Sequence, residues 1–325
     1  LIFLKALGEL YLAKNQLEDA LRAYQQAVLV APKDGDLYYS IARVQFGLGN
    51  TAAQAAAADE AIKKNTQLLG DAYFLLGDAQ QKQKKNVDAI AAYQRAIAAK
   101  PLSYQAYRNL AEIFRSESRY NEAIEIEKRA LLLYPNDGYI YTDISWYYSL
   151  ADRHEEAIQA AQSAIKILPQ EYMAYTNLCR AYNDTKQYPL AINACNSALK
   201  INPKDGETYF YLARAYDLSG RTAEATRNYS LAVKGLAEAA KADPTNSDTL
   251  YLLGNAYFSD NQRDRAIEAY NKCLELNPRF AKARLNLGRT LVLKKDKAGA
   301  LVQYNELLKI DQKRAAQLKS DIDKL

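Results

Sequence analysis

One histidine, one tryptophan, one methionine and three cysteines are all that 325 residues hold of those types. The single histidine, His154, has no cysteine, serine or acid spaced to make it a triad member or a metal ligand, so it reads as an exposed turn residue. No glycine-rich phosphate loop occurs, and Gly47-Leu48-Gly49 reads as a turn. Carboxylate pairs such as Glu155-Glu156 fall on turns or wet faces. No catalytic residue, cofactor or metal is therefore expected, and the chain is not expected to be an enzyme by itself. No run approaches the ~20 apolar residues needed to cross a bilayer. A formal charge of +5 is too mild to argue for nucleic acid. The charge is uneven, however: residues 1–171 hold 19 Lys/Arg against 21 Asp/Glu, and the remainder 24 against 17. The chain opens at Leu1 rather than Met. A removed leader is thus open, and with it a secreted or periplasmic location beside the favoured cytoplasmic one.

What the chain does have is a period. Pro101, Pro135, Pro169 and Pro203 stand 34 residues apart, and the same vocabulary recurs between them. Residues 104–137 carry Tyr107, Leu110, Ala111, Phe114, Ala123 and Ala130, and residues 172–205 carry Tyr175, Leu178, Cys179, Tyr182, Ala191 and Ala198 at equal offsets. A fixed period of this length marks a stacked repeat. The boundaries are 1–34, 35–69, 70–103, 104–137, 138–171, 172–205, 206–246, 247–280 and 281–314, with 315–325 left as a capping helix. Within 70–103, Tyr73, Leu76, Gly77 and Gln80 share one helix face; after Lys84-Lys85-Asn86 a second face runs through Ala89, Ile90, Tyr93, Ala96 and Ile97. Each repeat is thus two helices. Seven of the eight prolines stop a second helix, and Pro189 falls near the start of one, where proline is tolerated.

Leu4, Leu7, Gly8, Tyr11, Ala20, Tyr24, Ala27 and Pro32, with their counterparts Leu250, Leu253, Gly254, Tyr257, Ala266, Tyr270, Cys273 and Pro278, resemble the tetratricopeptide repeat. The resemblance covers essentially the whole chain and implies an all-α solenoid, a right-handed superhelix of about nine hairpins. Three departures from the pattern stand out, in repeats two, seven and nine, the last with Gln312 in place of proline as it runs into the capping helix. Repeat two has Thr66 in place of proline and Ala58 in place of the aromatic, giving either a thin joint or, the favoured reading, a close backbone approach. Repeat seven has seven extra residues around 233–239, which a second helix lengthened by about two turns absorbs in register. The cysteines sit at packing offsets, Cys179 where others have Gly or Ala, Cys195 where they have Tyr, and Cys273 where they have Ala. Their odd number makes a Cys179–Cys195 bond the disfavoured reading.

The resemblance also implies a concave groove lined by the first helices. Carried over by position, it places Lys5, Glu9, Tyr39, Arg43, Phe74, Asp78, Arg108, Asn109 and Glu112 there, then Tyr139, Trp146, Asn177, Arg180, Phe210, Arg214, Tyr251, Asn255, Phe258, Asn286 and Arg289. Such a surface suits a peptide: aromatics give contact area, while Arg and Asn give hydrogen bonds. Arg180, Arg214 and Arg289 favour acidic or C-terminal segments toward the C-terminal half. An asparagine ladder is incomplete, since only Asn109, Asn177 and Asn286 hold its place, and Lys5 followed by Glu9 breaks a carboxylate clamp. The expected function is a non-catalytic protein- or peptide-binding scaffold. The rivals are a structural protein that self-associates head to tail through exposed Leu1–Leu4, and the substrate-recruiting arm of a larger enzyme. Two N-glycosylation triplets, at Asn183 and Asn228, decide nothing about the compartment.

Overall fold

The computed structural model describes residues 1–324, and among them every regular element is a helix. The chain divides into two compact units. Unit 1 comprises Leu1–Arg115 with Glu125–Leu133, and unit 2 comprises Ser116–Ile124 with Tyr134–Leu325. Unit 1 contains α1 (Ile2–Ala13), α2 (Leu17–Val30), α3 (Gly35–Gly47), α4 (Thr51–Lys63), α5 (Leu69–Lys82), α6 (Asn86–Ala99) and nearly all of α7 (Tyr104–Ser116). Helix α8 (Tyr120–Leu133) is shared between the units. Unit 2 continues with α9 (Gly138–Leu150), α10 (His154–Ile167), α11 (Tyr172–Asp184), α12 (Tyr188–Ile201), α13 (Gly206–Leu218) and α14 (Thr222–Ala242). It ends with α15 (Ser247–Ser259), α16 (Arg263–Leu276), α17 (Ala281–Leu293), α18 (Lys297–Leu308) and α19 (Gln312–Ile322).

The period is written into the backbone as well as the side chains. Every turn from the first to the second helix of a hairpin holds one residue in the left-handed region: Asn15, Gly49, Lys84, Ser118, Asp152, Lys186, Gly220, Asn261 and Lys295. Only two of these are glycine, so the other seven side chains accept a conformation that costs roughly 1 kcal/mol. The turn between repeats is built differently. In most such turns a proline ends the second helix and two residues later an acid or amide caps the next first helix; the α4–α5 turn, with Asn65 left-handed and Thr66 for proline, and the α16–α17 turn, with Phe280 at the cap, are exceptions. Asp34 accepts from Asp36 N, Asp137 from Tyr139 N and Ile140 N, Asp205 from Thr208 N, and Asn246 from Thr249 N. The hydroxyls of Tyr38, Tyr175 and Tyr209 donate to the carbonyls of Pro32, Pro169 and Pro203, tying each first helix back to the preceding terminator.

Inside a hairpin the two helices meet where a small residue faces a ring. A Cβ on Gly77 would lie 2.9 Å from the Tyr93 ring, and one on Gly254 would lie 2.5 Å from Tyr270. In repeat two both partners are small, and Ala42 and Ala58 are fully buried. Gln54, also fully buried, spans to α5 by donating to Leu75 O at 2.8 Å and to Asp78 at 2.9 Å. Thr66, standing in for the proline, is buried and bonds Asp36 at 2.6 Å.

At the same place in α11 and α12 the small residue and the ring are replaced by Cys179 and Cys195, and these form a disulfide across a Cα separation of 5.3 Å. This bond stands against the expectation from the odd cysteine count: the repeat brings Cys179 and Cys195 together where the two helices meet and leaves Cys273 buried and alone. The insertion in repeat seven is absorbed by α14, whose 21 residues exceed the 12–14 of its counterparts α12 and α18. Its Leu236 stays buried, and its Gly235 runs against Gly206, whose added Cβ would fall 2.4 Å from Leu236 N. The last helix begins at Gln312 rather than 315, because Asp311 caps it by accepting from Arg314 N. Ala315, Leu318 and Ile322 bury one face of it against Leu285 of α17 and Ala300 and Leu307 of α18.

Candidate functional site

In unit 1 the expected groove residues are engaged with one another. Tyr24 donates to Glu9 at 2.6 Å, Arg43 pairs with Glu9 and lies over the Tyr39 ring, and Lys5 pairs with Asp34. Phe74 is tilted against Tyr93, 5.9 Å between ring centres. Asp78 takes Lys82 at 2.8 Å as well as Gln54. Asn109 donates to the Tyr93 hydroxyl at 2.9 Å, and Glu112 is bonded to Arg115. Arg108 is exposed on α7.

The same economy holds in unit 2. Asn177 is 4% exposed and spends its amide on Thr142 O and Ser145 Oγ, at 3.0 and 2.9 Å. Asn286 reaches back to Asn255 at 2.8 Å, and Asn255 in turn accepts from Tyr270 at 2.7 Å. All three asparagines at the expected ladder place thus join one repeat to the one before it. The basic character expected of this half is likewise cancelled locally. Arg180, 7% exposed, is bonded to Glu207 and stacks on Tyr211 at 4.8 Å. Arg214 meets Asp184 at 3.0 Å, and Arg289 meets Asp321 at 2.9 Å. Burial and two neighbouring carboxylates hold Glu207 above its usual carboxylate range, although Arg180 pulls the other way. Phe210 is also buried, against Tyr211 and Tyr229. Tyr139 stays 55% exposed, and Trp146 and Tyr251 are half-buried.

What remains open is a pair of adjoining cavities on the inner face of unit 2. The larger, about 740 Å³, is walled by α9, α11, α13, α15 and α17, with Ser149, Arg180, Tyr211, Arg214, Tyr251 and Asn286 among its lining. The smaller, about 260 Å³, shares Arg180, Tyr211 and Tyr251 with it and adds Trp146, Tyr172 and Met173. A clasp spans the larger one. Asp152, in the turn after α9, bonds Lys282 of α17 at 3.1 Å and Arg314 of α19 at 3.2 Å, while Lys282 also donates to Leu150 O. Burial opposes the Asp152 charge, but these two cations outweigh it and hold its carboxyl below the usual range. Burial also lowers Lys282, with Asp152 partly restoring it. Sequence reasoning gave no signal for the clasp, because its partners lie 130 and 162 residues apart.

His154 is placed otherwise than expected. It is the first residue of α10, its side chain is 27% exposed, and its Nδ1 lies 3.7 Å from Asp184 on the cavity wall. Neither glycosylation triplet offers a free amide: Asn183 is buried and donates to Tyr211 O, and Asn228 donates to Glu224 O within α14. Among the described residues no group of three or more His, Cys, Asp or Glu is arranged to hold a metal, and no helix is long and apolar enough to cross a membrane.

Models of the tetratricopeptide repeat match residues 5–68, 69–138, 194–227 and 247–280. The solved C-terminal part of a TPR repeat-containing protein from Cytophaga hutchinsonii is similar in fold, with a TM-score of 0.59 and 15% identity over 76% of this chain and 98% of that one. The MamA crystal structure matches over 54% of this chain and 95% of its own, with 24% identity and a TM-score of 0.46. Protein O-mannosyl-transferase TMTC1 of Homo sapiens is 30% identical over 98 residues, which is 30% of this chain and 11% of that protein's length. Helical hairpins in a 34-residue register and repeat-model matches over most of the sequence agree, and the chain belongs to the tetratricopeptide repeat family.

Proposed function

We propose that the chain is a binding scaffold that holds a polypeptide segment against its first helices, principally in the inner cavities of unit 2. The observation that carries this is the 740 Å³ cavity bounded by five successive first helices, with Tyr211, Tyr251 and Phe258 among its walls. Ligand sites are concave and mostly apolar, with a few convergent polar groups. The reading is of a non-catalytic role, since the polar groups of this cavity are paired as structural ion pairs rather than as nucleophile and base. An acidic ligand is disfavoured, because it would compete with Glu207, Asp184 and Asp321 for arginines they already hold.

A photo-crosslinking residue in place of Met173, which lines the smaller cavity and is 43% exposed, tests the reading. Leu190 on α12, 45% exposed, is the control because it lines neither cavity. Partner adducts at Met173 and none at Leu190 support the inner face; adducts at Leu190 alone overturn it.

Two other readings each have an observation in their favour. Ile2 and Phe3 are 85% and 74% exposed, which supports head-to-tail association of copies, and a concentration-independent sedimentation coefficient would remove that reading. The likeness to a short part of a much longer transferase supports a recruiting arm attached to other domains. The full reading frame decides that one. The Cys179–Cys195 bond favours an oxidising compartment.

A further inference from the structure

A further cavity of unit 2, about 240 Å³, meets the larger one at the clasp, and its charges do not cancel. Lys282 of α17, Lys313 and Arg314 of α19, and Asp152 from the turn after α9 all line it, so three cations face one carboxylate. In the larger cavity each arginine has an acid of its own: Arg180 has Glu207, Arg214 has Asp184 and Arg289 has Asp321. Here Lys282 and Arg314 share Asp152, and among the described residues Lys313 enters no salt bridge. Asp311 also bonds Arg314, from outside this cavity, and counting it still leaves an excess of one positive charge.

These side chains are open to solvent. Asp152 is 52% exposed, Lys282 24% and Arg314 22%, and Lys313 is exposed at the start of α19. They also have donors to spare. An ammonium carries three N–H groups, and Lys282 spends two, on Leu150 O at 3.3 Å and on Asp152 at 3.1 Å. A guanidinium carries five, and Arg314 gives one to Asp152 and one to Asp311. Gln317, four residues after Lys313 and so on the same face of α19, adds an exposed amide to the lining. The cations are crowded as well: burial lowers Lys282, Arg314 lowers it further, and Asp152 restores only part.

The chemistry that answers this arrangement is narrow. A cationic ligand would add to the excess, and a neutral amide would leave it standing. A carboxylate brings one charge and two acceptor oxygens to three cationic side chains. A phosphate monoester brings about 1.5 to 2 negative charges at neutral pH and three strong acceptor oxygens. We propose that the cavity between α17, α19 and the turn after α9 binds a phosphate group, free or carried as a phosphomonoester. Lys282 and Arg314 are the donors, oriented by Asp152, and Lys313 supplies the charge that Asp152 leaves unanswered. The objection to an acidic ligand in the larger cavity does not reach this one, because its cations are not matched one to one. The proposal stands apart from the peptide-binding reading and does not depend on it.

The test is calorimetric titration of the full chain at neutral pH, with ionic strength held constant by chloride. The probes are inorganic phosphate, a short glycine-flanked phosphoserine peptide, and the same peptide with glutamate in place of phosphoserine. Saturable binding of phosphate or the phosphopeptide is expected, about tenfold tighter than that of the glutamate peptide. Lys313→Gln, a change at an exposed side chain, should weaken it about fivefold, the worth of one good surface ion pair. Lys295→Gln, exposed in the turn between α17 and α18 and outside this cavity, should leave it unchanged. Phosphopeptide tighter than phosphate assigns the site to a modified polypeptide, and phosphate at least as tight assigns it to the free anion; either supports the proposal. Absence of saturable binding, a glutamate peptide as tight as the phosphopeptide, or equal losses in the two lysine variants overturns it. Absent phosphate binding alongside partner adducts at Met173 overturns this proposal alone.

Discussion

Reduction of the Cys179–Cys195 bond is the sharpest single perturbation available in this chain. The two residues are 16 positions apart, so the bond closes a loop about half the size of the hairpin. Loop-closure entropy for that length is worth about 3 kcal/mol at 25 °C, or roughly a hundredfold in the opening equilibrium of the hairpin. In a repeat array each unit touches only its neighbours, so the loss should appear locally rather than as uniform weakening. Amides of α11 and α12 that exchange by opening of the hairpin should lose up to about a hundredfold in hydrogen-exchange protection on reduction, while those of α1 and α2 keep theirs. Thiol titration in guanidinium checks the premise: one reactive thiol, Cys273, without reductant and three with it. Three thiols without reductant, or protection of α11 and α12 unaltered by reduction, would refute the reasoning.

The remaining expectations concern packing, backbone and charge. Gly77→Val drives a branched side chain into the Tyr93 ring, 2.9 Å from where its Cβ must sit, and should cost about 1–3 kcal/mol by urea unfolding. Lys84→Gly relieves a φ of 60° in the turn between α5 and α6; a gain of about 0.5–1 kcal/mol is expected in the same assay, and a loss would contradict the strain argument. Asp152→Asn removes the charge facing Lys282 and Arg314; because Asp152 is 52% exposed the loss should be about 1 kcal/mol or less, and it should shrink in 1 M salt. The carboxyl of Asp152 is held below its ordinary value, so the clasp contributes fully above roughly pH 4 and fades as the pH falls through the lower, folded value. Thermal melts of the native chain and Asp152→Asn should therefore converge in acid. Divergence there would exclude the clasp as the cause.

Much of the architecture was legible because it is local. Proline at a 34-residue spacing stops a helix wherever it falls, and apolar residues on one helical face must be buried whichever neighbour buries them. The elongation of α14 followed from counting seven residues against the helical turn. The caps at Asp137 and Asp205 could also have been read, since each stands two residues after a terminator proline.

The site was less legible because position within a repeat fixes which way a side chain leaves its helix and says nothing of what meets it. Asn177, Arg180 and Arg214 were expected to face a ligand, yet they meet Ser145, Glu207 and Asp184 from adjoining repeats, partners whose own positions look unremarkable in sequence. By itself, then, the sequence determined the hairpins, their number and their order, since each follows from forces acting within a few turns of chain. Tertiary structure alone decided which groove residues are consumed in stacking, that Cys179 and Cys195 are joined, and that Asp152 reaches Lys282 and Arg314 across the inner face. The pairs between repeats and the clasp depend on how successive repeats pack within each unit, which no single repeat records, whereas the disulfide is set inside one hairpin, where α11 and α12 meet.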